Sequence, residues 1–229
     1  VAAGRQLGQA GALIGRLGES WEAGARLADP NPSKTMNSIS IDPLTTALVI
    51  IDLQHGIVSR TFAPHASADI VAKASRLATR FREVGGTVVL VRVTFQPDFK
   101  DFLNLPCDAP AGFNPSAFPA NWADIVPELG PKTGDILITK RQWGAFHGTE
   151  LDLQLRRRGV KTIVLGGIST NIGVESTARS AYEHGYAQIF VEDIMASHST
   201  EAHEFAVKNI FVRIGNVRTT EQVMAALAT

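Results

Sequence analysis

Three stretches of the chain place chemistry-bearing residues at the ends of apolar runs. Thr46-Ala47-Leu48-Val49-Ile50-Ile51 leads into Asp52-Leu53-Gln54, Asp135-Ile136-Leu137-Ile138-Thr139 ends in Lys140, and Thr162-Ile163-Val164-Leu165 leads into Gly167-Ile168-Ser169-Thr170-Asn171-Ile172-Gly173. Continuous apolar runs of this length read as strands buried on both faces, the pattern of a parallel sheet. The carboxyl ends of parallel strands share one edge, where ligands bind, so residues far apart in sequence can converge there. A carboxylate and an ammonium at that edge would set each other's protonation state. Asp52 could then work as general acid or base, with Lys140 stabilising developing charge. A strand, sharp turn and helix start often carry a nucleophile on the first helical turn. The corresponding position here is Gly173, with no Ser or Cys in its place. The plainer alternatives are an ion pair capping the sheet and a glycine admitting a close helix–strand approach.

The elements that must hold these residues alternate. After the Asp52 strand, residues 66–84 carry Ile70, Val71, Ala74, Leu77, Ala78 and Phe81 at helical spacing and stop at Gly85-Gly86. Thr87 to Thr94 is a second strand. Gln96 to Pro131 is rich in proline and aromatic residues and too long for a plain connector, so it is expected to be an ordered active-site loop. Beyond the Lys140 strand come a helix at 149–158, the strand at 161–167, a helix to about His184, a strand at 187–192, a helix at 201–211, a short strand near Val217 and a closing helix at 219–227. This order predicts a three-layer α/β/α fold, doubly wound and Rossmann-like, with a mostly parallel sheet of about six strands. Residues 1–35, rich in Gly, Ala and Arg, are expected to be a poorly ordered extension, and residues 36–229 the folded domain. A docked helix that aids oligomerisation is the alternative for the extension.

Composition narrows the function. Lys plus Arg and Asp plus Glu number 22 each, so no basic excess supports nucleic-acid binding. The one cysteine, Cys107, rules out an intrachain disulfide and fits a reducing cytoplasm. No run approaches the ~20 apolar residues of a membrane-spanning helix.

The motifs together resemble the isochorismatase-like hydrolase family. The resemblance rests on Val49-Ile50-Ile51-Asp52-Leu53-Gln54, on Lys140 with Ala145-Phe146 and Thr149, and on Gly167-Ile168-Ser169-Thr170-Asn171-Ile172-Gly173-Val174 with Thr177-Ala178, and it covers about Leu44 to Leu227. In the family's amidohydrolase branch an Asp–Lys–Cys triad attacks amides. Matched here, its carboxylate is Asp52, its lysine Lys140 and its cysteine position Gly173, so covalent thiolate catalysis from that position is excluded. The isochorismatase branch also lacks the cysteine and cleaves a vinyl ether. The resemblance to it implies that Asp52 protonates the enol carbon and water attacks the oxocarbenium ion, which requires an aspartate pKa raised by burial.

The resemblance also implies a cis peptide at Ile168–Ser169 and a turn of Ile168, Ser169, Thr170, Asn171 and Ile172 that cradles a substrate oxygen, with the N–H groups of Ile172 and Gly173 aimed at it. Asn171 as a helix N-cap is the ordinary alternative. Gln54 and Gln96 are further candidate substrate contacts, and Trp143 and Phe146 are placed to stack on a flat substrate or to pack on a neighbouring subunit. No cofactor is expected. The metal site of the nicotinamidases needs an aspartate and paired histidines; His55 and His65 lack the aspartate, and His147, His198 and His203 show no ligating spacing, so no metal is expected. The expected partners are a small-molecule substrate and further copies of the chain in a homo-oligomer. The competing expectation is a catalytically silent protein of the same fold that binds a small molecule or serves as an oligomeric scaffold.

Overall fold

The computed structural model describes residues 39–109 and 118–227. The expected extension at 1–35 lies outside them.

Strands β1 (Thr46–Ile51), β2 (Thr87–Val93), β3 (Ile136–Lys140), β4 (Thr162–Ile168), β5 (Ala187–Ala196) and β6 (Asn216–Arg218) form one sheet in the order β3-β2-β1-β4-β5-β6. Every pairing is parallel. The connections run outward in both directions from the centre, so the strand order reverses between β1 and β4. That reversal opens a crevice at the carboxyl ends of these two strands, the usual binding place in such sheets.

Alternation along the buried strands feeds two cores. Leu48 and Ile50 of β1 join the cluster under helix α1 (Ser67–Glu83), with its Ile70, Ala74, Leu77 and Phe81. Ala47, Val49 and Ile51 face the opposite layer, which holds α2 (Leu151–Arg157) and α3 (Glu175–Glu183) through Leu151, Leu155, Ala178 and Ala181. Burying each large side chain of this kind stabilises the fold by about 1.5–3 kcal/mol. α1 ends at Gly85, whose φ of +75° is the left-handed conformation that glycine adopts without steric cost.

β5 runs four residues past Glu192, the boundary expected from sequence. The reason is a bulge: Leu165 pairs with Phe190 but Gly167 with Met195, so Glu192 and Asp193 fall in the irregular stretch. Asp193 is nevertheless buried. Its Oδ1 accepts from Thr220 N–H at 2.7 Å and Thr220 Oγ1 at 2.9 Å, and its Oδ2 pairs with Lys73 at 3.1 Å. It thereby fixes the start of the last helix, α5 (Thr220–Ala226), which is also closed by a Thr219–Gln222 capping box. Between β5 and β6 lies α4 (Thr200–Phe205), which continues in wider turns over Ala206–Phe211 and ends in a last α-helical turn, Val212–Ile214.

Candidate active site

Asp52 is the first residue beyond β1. Its backbone turns into the left-handed region, φ 54°, while its N–H still donates to Val91 O at 2.9 Å. A non-glycine residue in that region is uncommon and costs free energy, and such conformations cluster at functional sites. The kink leaves the carboxyl buried at the head of the β1/β4 crevice.

Lys140 starts two ladders away on the edge strand β3, about 10 Å across the sheet. Its extended side chain spans that gap. Lys140 Nζ lies 2.6 Å from Asp52 Oδ2 and donates to Trp143 O at 2.8 Å. Both side chains are buried, at 2% and 6% exposure. Asp52 Oδ1 is buried and has no hydrogen-bond partner among the described residues. Burial pushes the Asp52 carboxyl up to a pKa of about 6, and the Lys140 charge offsets only part of that rise.

The third strand end closes the group. Gly167 has φ +123°, and a Cβ there would stand 2.1 Å from Ile51 O, so only glycine lets β4 approach β1 this closely. The Ile168–Ser169 peptide is cis. The chain then makes one wide turn, Thr170–Val174, into α3. A Cβ at Gly173 would lie 3.4 Å from both Asp52 Oδ2 and Lys140 Nζ and 3.2 Å from Ile51 Cγ2. A side chain would therefore fit at 173 with a small shift of Ile51, and it would touch both charges.

A cavity of about 850 Å³ opens in front of this group and includes Asp52, Lys140, Ile168, Ser169, Ile172, Gly173 and Trp143 in its lining. Of the other candidate residues, Gln54 is fully buried and clips β2: its Nε2 donates to Val93 O at 2.9 Å and its Oε1 accepts from Val93 N–H at 2.8 Å. Gln96 is exposed outside the cavity, with its N–H held by Asp101 at 2.9 Å. Phe146 lies in the core, stacked on His184 with centroids 5.1 Å apart. Asn171 Oδ1 accepts from Ser197 Oγ, and Ile172 N–H donates to Ser169 O at 3.1 Å. Thr170 is buried with its Oγ1 2.8 Å from His203 Nδ1. Burial, with His65 beside it, pushes the His203 pKa down to about 4.

The aromatic-rich stretch after Gln96, expected to be an active-site loop, contributes rings to the cavity wall that the sequence did not single out one by one. Phe95 stacks near Trp122 at 6.2 Å, Phe118 lies 4.6 Å from Trp122, and Phe102 meets Phe95 edge-on at 5.1 Å. These rings line the cavity with Arg60, His198 and the exposed Cys107. The density of aromatics between Phe95 and Trp122 was the available signal.

Comparison with known proteins agrees with this architecture. Residues 46–222 match the isochorismatase domain. The chain is 52% identical over 189 residues to the isochorismatase-family protein YwoC of Bacillus subtilis, covering 82% of this chain and 97% of that one. It is 47% identical to YecD of Escherichia coli O157:H7 over 82% of this chain and 100% of YecD. The structure of an isochorismatase-family protein from Burkholderia thailandensis superposes with a TM-score of 0.79 at 46% identity, covering 84% of this chain and 100% of that one. On the sheet order, the strand-end geometry and these matches, the chain is a hydrolase and belongs to the isochorismatase family.

Proposed function

We propose that the chain hydrolyses a small planar molecule by acid-catalysed, vinyl-ether-type chemistry, without a covalent enzyme intermediate. The observation that carries this reading is a buried carboxyl with one unshared oxygen, held against an ammonium, beside a helix start that bears no side chain. Protonated Asp52 gives its proton to the enol carbon, and the double-bond electrons form the new C–H bond. The ether oxygen then shares the positive charge as an oxocarbenium ion. Water adds its oxygen to the cationic carbon and returns a proton to Asp52. The hemiketal then collapses, its hydroxyl C–O becoming C=O as the ether C–O bond breaks, and the hydroxyl proton passes to the leaving oxygen to release the alcohol. Lys140 stabilises the Asp52 carboxylate between the two proton transfers, an electrostatic role suited to a site shielded from water.

The cavity supports a flat apolar substrate. Phe95, Phe102, Phe118 and Trp122 offer ring faces, and the absent side chain at 173 leaves space next to the acid. Ser169 and the Gly173 end of the turn would cradle a substrate oxygen. Trp143, 66% exposed at the cavity, supports assembly with further copies of the chain in a homo-oligomer. A cytoplasmic setting belongs to the same proposal and rests on the single cysteine. None of the helices among the described residues is long and apolar enough to cross a membrane.

The second reading is a binding protein that no longer catalyses. It is favoured by the direct 2.6 Å Asp52–Lys140 contact, a buried ion pair that can cap the sheet edge in a purely structural role. Screening vinyl ethers, amides and carbamates with wild type and Asp52→Asn separates the two. Vinyl-ether turnover that vanishes in the folded variant supports the acid mechanism; tight binding without turnover supports the silent protein.

A further inference from the structure

We propose that His65, Glu192 and His203 form a site for one divalent cation of the zinc class, distinct from the Asp52–Lys140 centre. None of the three lines the catalytic cavity. His65 follows β1 in a loop, Glu192 lies in the β5 bulge and His203 is on α4. One ligand atom from each lies within 4.8 Å of the others. His65 Nε2 and Glu192 Oε2 are 3.3 Å apart, the spacing of neighbouring donors on a tetrahedral ion whose ligand bonds are about 2.0–2.2 Å. The remaining donor pairs, within 4.8 Å, need to close by at most about 1.4 Å, within reach of side-chain rotation.

The chemistry of the set fits such an ion. Two imidazoles and a carboxylate are the ligands of three-coordinate zinc centres that keep a fourth position open. The Thr170 hydroxyl lies 2.8 Å from His203 Nδ1. With Nδ1 so occupied, Nε2 would be the ligating atom and the hydroxyl would act as the outer-shell partner that ligating histidines commonly have. His203 is buried, whereas the His65 and Glu192 side chains are 29% and 30% exposed, which gives an ion a way in from solvent. The loop bearing His65 is already pinned: Ala63 and Ser197 exchange backbone bonds of 2.9 and 2.8 Å. A simple His65–Glu192 ion pair accounts for two members only. The second imidazole, held by Thr170, stands edge-on at 5.7 Å from the first and brings a third donor to the same place.

A bound ion would tie the His65 loop, β5 and α4 together and, through Thr170, brace the turn that carries Ser169 and Gly173. Spacing along the chain gave no sign of the site, because His65 and Glu192 are 127 residues apart and only the folded sheet brings them together.

The test needs no turnover, so it stands or falls separately from the proposed reaction. Untagged protein, stripped with chelator, is titrated with Zn²⁺ by calorimetry and with Co²⁺ by visible absorption. The expected result is one ion per chain, a tetrahedral cobalt spectrum, and affinity weakened at least ~10-fold in both His65→Ala and Glu192→Gln. His147→Ala, at an exposed histidine elsewhere, should bind as wild type does. Both site variants change partly exposed side chains, and thermal melting reports whether each is folded; if one is not, the other decides. Absence of stoichiometric binding, an octahedral spectrum, or unchanged affinity in the folded variants would overturn the proposal.

Discussion

A Cβ placed on Gly173 would stand 3.4 Å from Asp52 Oδ2. The same point is 3.4 Å from Lys140 Nζ, so the acid and its cation converge on a position with no side chain. In Gly173→Cys, built in a Cys107→Ser background, the new thiol should meet both groups. The ammonium would favour its thiolate. Alkylation by iodoacetamide at pH 7 should be at least ~10-fold faster than for free cysteine. Rates equal to free cysteine would show that the three groups do not converge as described.

Asp52 sets the pH dependence. Its folded pKa is raised from 3.8 to about 6, so its contribution to stability is fully present below 3.8 and is lost as pH rises through about 6. Between pH 4 and 7 that loss amounts to roughly 2 kcal/mol. Denaturant melts should show a smaller stability difference across this window in Asp52→Asn than in wild type. In the proposed reaction the reactive form is the protonated acid, so kcat/KM should also fall as pH rises through about 6. Activity that instead increases through this range would point to Asp52 acting as a base.

Lys140→Met leaves the Asp52 carboxyl buried with no neighbouring cation. The aspartate pKa should move further upward, and the descending limb of the rate profile with it. Breaking a buried pair in this way costs about 3–5 kcal/mol at neutral pH. The loss of charge stabilisation should lower kcat by roughly 10²–10³-fold. A limb that stays in place would mean that Lys140 does not govern Asp52.

Gln54→Ala separates holding the sheet from touching substrate. Removing the amide orphans the N–H and C=O of Val93, at a cost of about 2–4 kcal/mol. Thermal unfolding should register that loss while KM changes little. A large KM increase with unchanged stability would assign Gln54 to the substrate.

The strand ends were legible because continuous apolar runs mark buried parallel strands, whose carboxyl ends share one edge. Asp52 and Lys140 stand out for that reason, though spacing alone left a simple ion pair capping the sheet as an alternative. The glycines of 167–173 mark a turn whose close approach only the fold explains. Gln54 and Phe146 were ambiguous. A polar residue after a strand can face a ligand or satisfy a neighbouring backbone, and Val93 claims this one. Phe146 follows Lys140 closely, but burial against Tyr186 and His184 takes its ring into the core. The end of β5 was hidden because Glu192 and Asp193 interrupt its apolar pattern at a bulge.

The most direct measurement of the central claim is the turnover of a vinyl-ether substrate by wild type and Asp52→Asn, followed by NMR in D₂O at pH 5–6. Acid catalysis by Asp52 predicts wild-type hydrolysis with one solvent deuteron on the former enol carbon, a loss of at least ~10³-fold in the folded variant, and no protein-bound intermediate. Retained turnover in Asp52→Asn, or a covalent adduct trapped on Cys107, would contradict it.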